Sequence, residues 1–165
     1  MIDPTAFIHP LADAESGCHI GANTKVWRWS HIMPGARIGK NCVIGEHVYI
    51  ASSVTIGDGC HIQNGVNLYD GCELGNYVFM GPNSTTTNVK FPRSHRKGKF
   101  EKTIFKDNCS VGAGAVIVCG VTLGEFSMIG ASSCVTKDIP PGVTVMGVPA
   151  VQKRNKNYHL EKLNI

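Results

Sequence analysis

Residues 32–62 read IMPGARIGKNCVIGEHVYIASSVTIGDGCHI, and isoleucine returns there at every sixth position. The interval extends outward: a large apolar residue stands at nearly every sixth position over 8–80 and again over 105–135. Four residues after each comes a small or β-branched residue, with Ile139 as the one large exception. A helix repeats every 3.6 residues and a strand every two, so a strict period of six indicates neither element alone.

A stack of triangular coils accounts for this period. Each of the nineteen hexads forms a short strand and a corner, and three hexads close a coil of 18 residues. The large residue fills the interior, the small residue fits beside the corner, and successive coils pair as parallel strands about 4.8 Å apart. We therefore expect an all-β parallel β-helix of about six coils over residues 1–150, ended by Pro140 and Pro141, and a short C-terminal tail at 151–165.

Glycine indicates that the three faces of the prism are unequal. On one face the large residue is regularly followed by glycine, which relieves a tight corner. Counting across an interruption after residue 85 predicts that this face includes Gly21, Gly39, Gly57, Gly75, Gly112 and Gly130.

Composition and charge exclude several classes of protein. Hydrophobic residues make up 42% of the chain and charged residues 17%, which excludes a charge-rich disordered chain. The net charge of +4 is concentrated in residues 86–104 and 151–165. Two short basic segments suit a small polyphosphate ligand better than a continuous nucleic-acid track, so we expect no nucleic-acid partner.

The cysteines and the apolar runs indicate where the protein resides. There are seven cysteines with no CxxC pair, no signal peptide follows Met1, and no apolar run reaches the ~20 residues that span a membrane. These features predict a reduced, cytoplasmic protein with no membrane span and no structural zinc. Five cysteines occupy small core positions and are expected to be buried: Cys18, Cys42, Cys60, Cys72 and Cys109.

The repeat over residues 8–150 resembles the hexapeptide-repeat acyltransferase superfamily, whose motif is [LIV]-G-x-x-[STAV]-x. The resemblance implies coils that wind left-handed, against the usual right-handed crossover, a hand that the spacing itself does not indicate. It also implies acetyl-CoA as co-substrate, no metal, and a homotrimer with inter-subunit active sites.

Residues 86–104, TTNVKFPRSHRKGKFEKTI, interrupt the repeat as a long excursion. A long insert in a regular solenoid usually carries function. Arginine forks recognise phosphate and carboxylate groups, so Arg93 and its neighbour Ser94 indicate an anionic acceptor such as a sugar nucleotide.

One group within the superfamily matches more closely. The motifs are Gly81-Pro82, Thr87-Asn88-Val89, Pro92-Arg93-Ser94 and IVCGVT at 117–122. They are similar to the N-acetyltransferases of nucleotide-linked 3-amino sugars, which include the UDP-2-acetamido-3-amino-glucuronate N-acetyltransferases. The resemblance implies a role in surface polysaccharide or glycan synthesis. It also implies that Asn88 orients the sugar amine and that the coenzyme sulfur takes up the proton.

Further residues are candidates for binding the two substrates. For the acceptor they are Trp27, His31, His61, Gln63, Asn64, Tyr69, Arg93 and Ser94. For the coenzyme they are Gly112, Ala113, Cys119, Gly130, Ala131, Lys137, Pro149, Lys153 and Arg154. The small residues allow pantetheine to approach backbone amides, the adenine end lies near the Pro-Ala step in the superfamily, and the cations can pair with phosphates.

Three other functions stay open. Many superfamily members use a histidine as general base where this chain has Asn88, and His95 is a rival base for an O-acetyltransferase. The γ-type carbonic anhydrases share the fold but need three zinc-binding histidines; His61 and His95 are present and the usual third is missing. A non-catalytic trimeric scaffold is the remaining alternative.

Overall fold

A computed structural model describes residues 1–95 and 98–152, and these residues form twenty-two short strands and no helix. Within these ranges there is therefore no helix able to cross a membrane. Lys153 and Arg154, and the rest of the predicted tail beyond Gln152, lie outside the described residues.

The strands, numbered along the chain, form three sheets that are the faces of a prism. Face one consists of β1 (Phe7–Ile8), β4 (Lys25–Val26), β7 (Val43–Ile44), β10 (His61–Ile62), β13 (Phe79–Met80), β16 (Ser110–Val111), β19 (Met128–Ile129), β21 (Thr144–Met146) and β22 (Val151–Gln152). Face two consists of β2 (Asp13–Ala14), β5 (His31–Ile32), β8 (Tyr49–Ile50), β11 (Asn67–Leu68), β14 (Thr85–Thr86), β17 (Val116–Ile117) and β20 (Cys134–Val135). Face three consists of β3 (His19–Ile20), β6 (Arg37–Ile38), β9 (Thr55–Ile56), β12 (Cys72–Leu74), β15 (Thr103–Phe105) and β18 (Thr122–Leu123).

The hexad period is the register of these sheets. Val26 pairs with Ile44 and Ile44 with Ile62, each in parallel and 18 residues apart. The large residue of the hexad points inward and is buried, while the residue before it faces outward. The prediction of an all-β parallel β-helix is confirmed.

The coil count differs from the predicted six. Face one holds eight parallel strands, β1 to β21, so the chain makes about eight coils. The stack already begins at Ile2, which bridges to Ile20. It does not end at the prolines, because Ile139 bridges to Leu123 on face three, ahead of the hexad register, and the chain then re-enters face one as β21.

The excursion is shorter than predicted, because it begins one residue later and ends two residues earlier. Thr86 belongs to β14 and Thr103 to β15, so the excursion comprises residues 87–102. Thr86 is buried at an inward hexad position despite its hydroxyl, which accepts a hydrogen bond from the Tyr69 amide at 3.0 Å. Thr86 fills one more hexad position on face two. The chain therefore re-enters the prism on face three, where Phe105 pairs with Leu74. The prediction that Gly112 and Gly130 share a face with Gly21 is therefore wrong, since they follow strands of face one.

Candidate active site

Most of the predicted site residues lie on two edges of the prism. The excursion edge, between faces two and three, comprises residues 69–71, 87–102, 118–120 and 136–138. The Gly-Ala edge, between faces one and two, comprises residues 63–65, 81–83, 112–114 and 130–132. Both edges border face two, on opposite sides of it.

Two threonine hydroxyls fasten the ends of the excursion to the next coil. The Cys119 amide donates to Thr87 Oγ1 at 2.9 Å, and the Gly120 amide donates to Thr103 Oγ1 at 3.2 Å. The Glu101 amide donates to the Asn88 carbonyl at 2.9 Å and closes the neck between the outgoing and returning segments. Asn88 is thereby held at the base of the excursion and is half-buried.

Beyond this neck the excursion is open to solvent. Arg93, Ser94 and His95 are all exposed. One guanidinium nitrogen of Arg93 donates to the Pro92 carbonyl at 2.9 Å, which leaves further N–H groups of the side chain directed to solvent or a ligand. The excursion therefore offers an accessible cation to an anionic acceptor.

The other candidates on the excursion edge stack above and below Asn88. Tyr69 lies one coil before it and is exposed at the surface, in van der Waals range of Tyr49 with ring centroids 5.5 Å apart. Cys119 lies one coil after it and is buried, so that its backbone amide serves Thr87 rather than a ligand. Lys137 follows in the next coil and is exposed.

Backbone amides at several corners are satisfied by a side chain of the next coil. Asn64 Oδ1 accepts from the Glu46 amide at 2.9 Å, and Asp58 Oδ1 accepts in the same way from the Lys40 amide at 2.9 Å. An Asp or Asn stacked on the corner thus replaces the hydrogen bond that the amide would make with water.

The Gly-Ala edge has no such side-chain acceptor at the coils that follow the excursion. Ala113 and Ala131 stack on one another and have no side-chain acceptor. Among the hydrogen bonds of the described residues neither of their amides is a donor, and both residues are exposed. Gly112 keeps the two coils close, since a Cβ there would lie 2.5 Å from the Ala131 nitrogen. The edge therefore presents two open N–H groups on a small-residue surface.

The chain returns to this edge at its C-terminal end. The Cys134 amide donates to the Gly147 carbonyl at 3.0 Å, and the Ala150 amide donates to the Cys134 carbonyl at 2.8 Å. Pro149, preceded by a cis peptide bond, is exposed between these contacts. The structure thus places Pro149 in the coil after Gly130 and Ala131, with the three residues along one line.

Other predicted acceptor residues are not brought to Asn88 within one chain. His31 lies on face two, three strand spacings (~14 Å) before Thr85, where its Nε2 is 2.7 Å from Glu15 Oε1. Trp27 packs against Phe7 with ring centroids 5.6 Å apart, four strands before β16. His61 is exposed on face one, and Gln63 and Asn64 lie on the Gly-Ala edge, across face two from the excursion.

Neither principal cavity of the described residues contains these candidates. One, of about 600 Å³, lies beside Thr122, Gly124 and Pro140 on the side of face three. The other, of about 310 Å³, lies at the amino-terminal end around Met1 and His19. In a single chain these candidates lie on two open edges of the prism, away from both cavities.

Metal-binding geometry does not involve the two histidines of the carbonic anhydrase alternative. Within the ranges that the structure describes, the one group of three potential ligands close together is Asp13, Glu15 and His31. His61 projects from face one, whereas His95 lies in the excursion on the far edge of face two. The arrangement gives no support to a site that His61 and His95 share.

The buried thiols have no catalytic setting. Burial raises the pKa of Cys72 to about 11 and the pKa of Cys109 to about 12, so both remain protonated at neutral pH. Their prediction as compact core residues is confirmed, as it is for Cys18, Cys42 and Cys60.

Sequence reasoning missed the residues that shape the neck of the excursion. Thr87, Thr103 and Glu101 carry no motif of their own, and their contacts depend on where the excursion rejoins the coil. The missing side-chain acceptors had a readable signal: Ala113 and Ala131 stand where some other corners carry Asp or Asn.

Comparisons with known proteins agree with this architecture. The family described as "Bacterial transferase hexapeptide (six repeats)" matches residues 2–52 and 53–88, and "Hexapeptide repeat of succinyl-transferase" matches residues 35–70 and 107–137. The chain is 44% identical over 155 residues to the dTDP-3-amino-3,6-dideoxy-alpha-D-galactopyranose 3-N-acetyltransferase of Aneurinibacillus thermoaerophilus, covering 93% of this chain and 79% of that protein.

Two further similarities are more distant. The galactoside O-acetyltransferase of Lactococcus lactis subsp. lactis is 39% identical over 87 residues, covering 50% of this chain and 42% of that protein. A hexapeptide-repeat acetyltransferase of Vibrio cholerae O1 biovar eltor, solved with acetyl coenzyme A, has a TM-score of 0.65 at 26% identity and covers 73% of this chain and 70% of its own. With the repeat matched over more than half of its length, the chain belongs to the bacterial hexapeptide-repeat transferases.

Proposed function

We propose that the protein transfers the acetyl group of acetyl-CoA to the amino group of a nucleotide-linked amino sugar. The observation that carries the proposal is the pairing of two edges with complementary chemistry: open backbone amides on one and a basic excursion with Asn88 at its base on the other. The similarity to a named 3-N-acetyltransferase supports the reaction class and favours an amine at carbon 3 of the sugar.

The coenzyme lies along the Gly-Ala edge. Pantetheine is a flat chain with two amide groups whose carbonyls accept hydrogen bonds, and Ala113 and Ala131 supply unoccupied N–H donors with no side chain to keep the ligand away. The adenine end lies beside Pro149, which continues the same line. Lys153 and Arg154, outside the described residues, are the cations we assign to the coenzyme phosphates.

The acceptor binds at the excursion. Arg93 and Ser94 hold the diphosphate, Tyr69 borders the sugar or base, and Asn88 orients the amine toward the thioester. The neutral amine attacks the carbonyl carbon, so that a C–N bond forms and the C–S bond breaks, and the departing sulfur takes a proton from the nitrogen. An amine needs less help from a base than an alcohol, which suits an asparagine at this position.

A homotrimer joins the two edges. The outward residues of face two include no lysine or arginine. In a single chain all of them except the exposed Asp13 are half-buried. When three copies turn face two toward a threefold axis, the excursion edge of each borders the Gly-Ala edge of the next. The coenzyme of one copy then meets the acceptor of its neighbour, and Gln63 and Asn64 join Asn88 in one site.

The seven free thiols agree with a reduced compartment, and we place the enzyme in the cytoplasm, where acetyl-CoA is available. The proposal is tested by incubating the protein with acetyl-CoA and a panel of nucleotide-linked sugars that carry an amine or a hydroxyl at carbon 3 or 4. Free thiol should be released when the sugar carries the amine and not when it carries the hydroxyl. Release with a hydroxyl sugar and none with the amines would instead favour the O-acetyltransferase.

That second candidate rests on His95, which is exposed in the excursion and free to approach an alcohol, and on the similarity to a galactoside O-acetyltransferase. It predicts that His95 is indispensable, whereas the N-acetyltransferase depends on Asn88. The two functions are therefore separable by one pair of variants.

A further inference from the structure

Glu101 contacts three successive coils at the neck of the excursion. Its amide donates to the Asn88 carbonyl at 2.9 Å, and its own carbonyl packs on Gly71, where a Cβ would lie 2.8 Å away. Its carboxylate lies over Gly120, in the space that a Cβ of that residue would occupy. Gly71 and Gly120 have φ angles of +88° and +85°, a conformation that other residues adopt only with strain. The backbone of Glu101 is thus fixed beside Asn88, and its carboxylate lies over Gly120 in the next coil.

The carboxylate has no cation of its own within residues 1–95 and 98–152. The adjacent Lys102 pairs instead with Glu73, whose Oε1 is 2.7 Å from the lysine Nζ. Glu101 is half-buried, so its charge is screened less by water than that of a fully exposed residue. A negative charge held at this position is complementary to a small cationic ligand group.

We infer that the Glu101 carboxylate binds the protonated amino group of the acceptor sugar beside Asn88. This inference rests on the proposed function and adds to it the residue that distinguishes an amine from a hydroxyl. The exposed Lys90, Arg93 and Lys99 of the same excursion attract the diphosphate, while Glu101 at the neck attracts the opposite end of the substrate. The charge pattern therefore orients the acceptor along the excursion.

The bound ammonium group loses one proton to water before the chemical step, and the nitrogen lone pair then attacks the thioester carbon. The C–N bond forms, the C–S bond breaks, and a second proton leaves the nitrogen for the coenzyme sulfur. The ammonium group thus loses two protons in all and the amide keeps one. In this sequence of steps Glu101 selects and positions the amino group and takes no proton itself.

The test compares two ligands that differ at one atom. A nucleotide-linked amino sugar and the same nucleotide sugar with a hydroxyl in place of the amine are titrated calorimetrically into wild type and Glu101→Gln. We expect the substitution to weaken binding of the amino sugar about tenfold and to change binding of the hydroxyl sugar less than twofold. The main-chain bond to Asn88 does not depend on the side chain and is kept in the variant.

Two further variants complete the design. Glu125→Gln removes an exposed carboxylate at a different edge of the prism and should leave the ratio of the two affinities unchanged. Glu101→Asp keeps the charge and must keep a preference for the amino sugar, which decides the question if Glu101→Gln does not fold. Equal loss for both ligands in Glu101→Gln, or equal affinities in Glu101→Asp, overturns the inference. If wild type binds the hydroxyl sugar as tightly as the amino sugar, the inference about Glu101 fails, whereas the proposal that the acceptor is a nucleotide-linked sugar stands. If wild type binds neither sugar, the inference and the proposed function both fail.

Discussion

The Cys119 amide donates a hydrogen bond to the Thr87 hydroxyl at 2.9 Å, which joins the first residue of the excursion to the coil that follows it. Cys119 is buried, so its amide has no alternative partner in water. Thr103 makes the matching contact with Gly120 at the other end. An excursion of sixteen residues, 87–102, is thus held at both ends by the coil above it.

Replacing Thr87 with valine should destabilise the protein. The substitution keeps the shape of the side chain but leaves the Cys119 amide without an acceptor, at a cost of about 1–3 kcal/mol in the free energy of unfolding. Urea denaturation measures this difference. Thr55→Val is the control, because Thr55 is half-buried like Thr87 and its hydroxyl makes no hydrogen bond among the described residues. Equal stabilities of the two variants would contradict the role given to the Thr87 hydroxyl.

The repeat was predictable because every inward position obeys one spacing, as Ile32, Ile44 and Ile62 do. The coil count was not, because Ile139 lies ahead of the register and still bridges to Leu123. Backbone hydrogen bonds keep the stack continuous where the sequence pattern has already broken, as from the Gly124 amide to the Ile139 carbonyl and from the Gly142 amide to the Glu125 carbonyl.

The sequence predicts the start of the excursion one residue too early, for a different reason. Thr86 is polar and was not counted with the large apolar series, yet it is buried, with its hydroxyl satisfied by the Tyr69 amide. A buried hydroxyl with a partner costs little, and sequence alone does not reveal the partner. The candidate residues of the excursion were predicted from residue type, whereas the contact of Glu101 with Asn88 depends on the geometry of the closed neck.

Asn88→Ala and His95→Ala should separate the two acetyl-transfer reactions. If Asn88 orients the amine, its removal lowers kcat with the amino sugar tenfold or more, at about the scale of a lost positioning contact. His95→Ala should change kcat less than about twofold, since an amine needs no strong base. Steady-state kinetics with the best acceptor measures both. A loss of about a hundredfold in His95→Ala, with Asn88→Ala active, would establish the general-base reaction instead.

Stability should fall on the alkaline side because of the buried thiols. Burial raises the pKa of Cys72 from 9.0 to about 11, so the folded state keeps a proton that the unfolded state has lost. The contribution of the Cys72 thiol to the free energy of unfolding is therefore complete below pH 9 and disappears as the pH rises from 9 toward 11. Urea unfolding across this range should show a smaller fall in Cys72→Ala than in wild type. Cys134→Ala, at a half-buried thiol, serves as the control and should retain the wild-type slope.

Face two should be the interface of the proposed trimer. Light scattering is expected to give about three times the chain mass of 17.7 kDa for the wild type. Thr85→Arg introduces a charge on face two and should dissociate the assembly, because an unpaired cation is costly to bury. Thr55→Arg places the same charge on face three and should leave the mass unchanged. Dissociation by Thr55→Arg alone would assign the interface to face three.

Mixed assemblies test whether each site is shared between neighbouring copies. Asn88→Ala impairs the excursion edge, and Ala131→Tyr covers the open amide on the Gly-Ala edge, so each variant alone should keep about a tenth of the activity or less. In a trimer that contains both, a site is intact where the Asn88 of one copy faces the Ala131 of the other kind. Random assembly at equal amounts should restore about a quarter of the wild-type activity, and purified mixed trimers about a third.

Co-expression with two different affinity tags isolates these mixed trimers. The matched control combines Ala131→Tyr with the double variant, which offers no intact Gly-Ala edge and should remain inactive. If each site lay within a single chain, the mixture of single variants would be as inactive as this control. Restored activity requires that the two edges on either side of face two belong to one site across the interface, because no single chain in the mixture carries both of them intact.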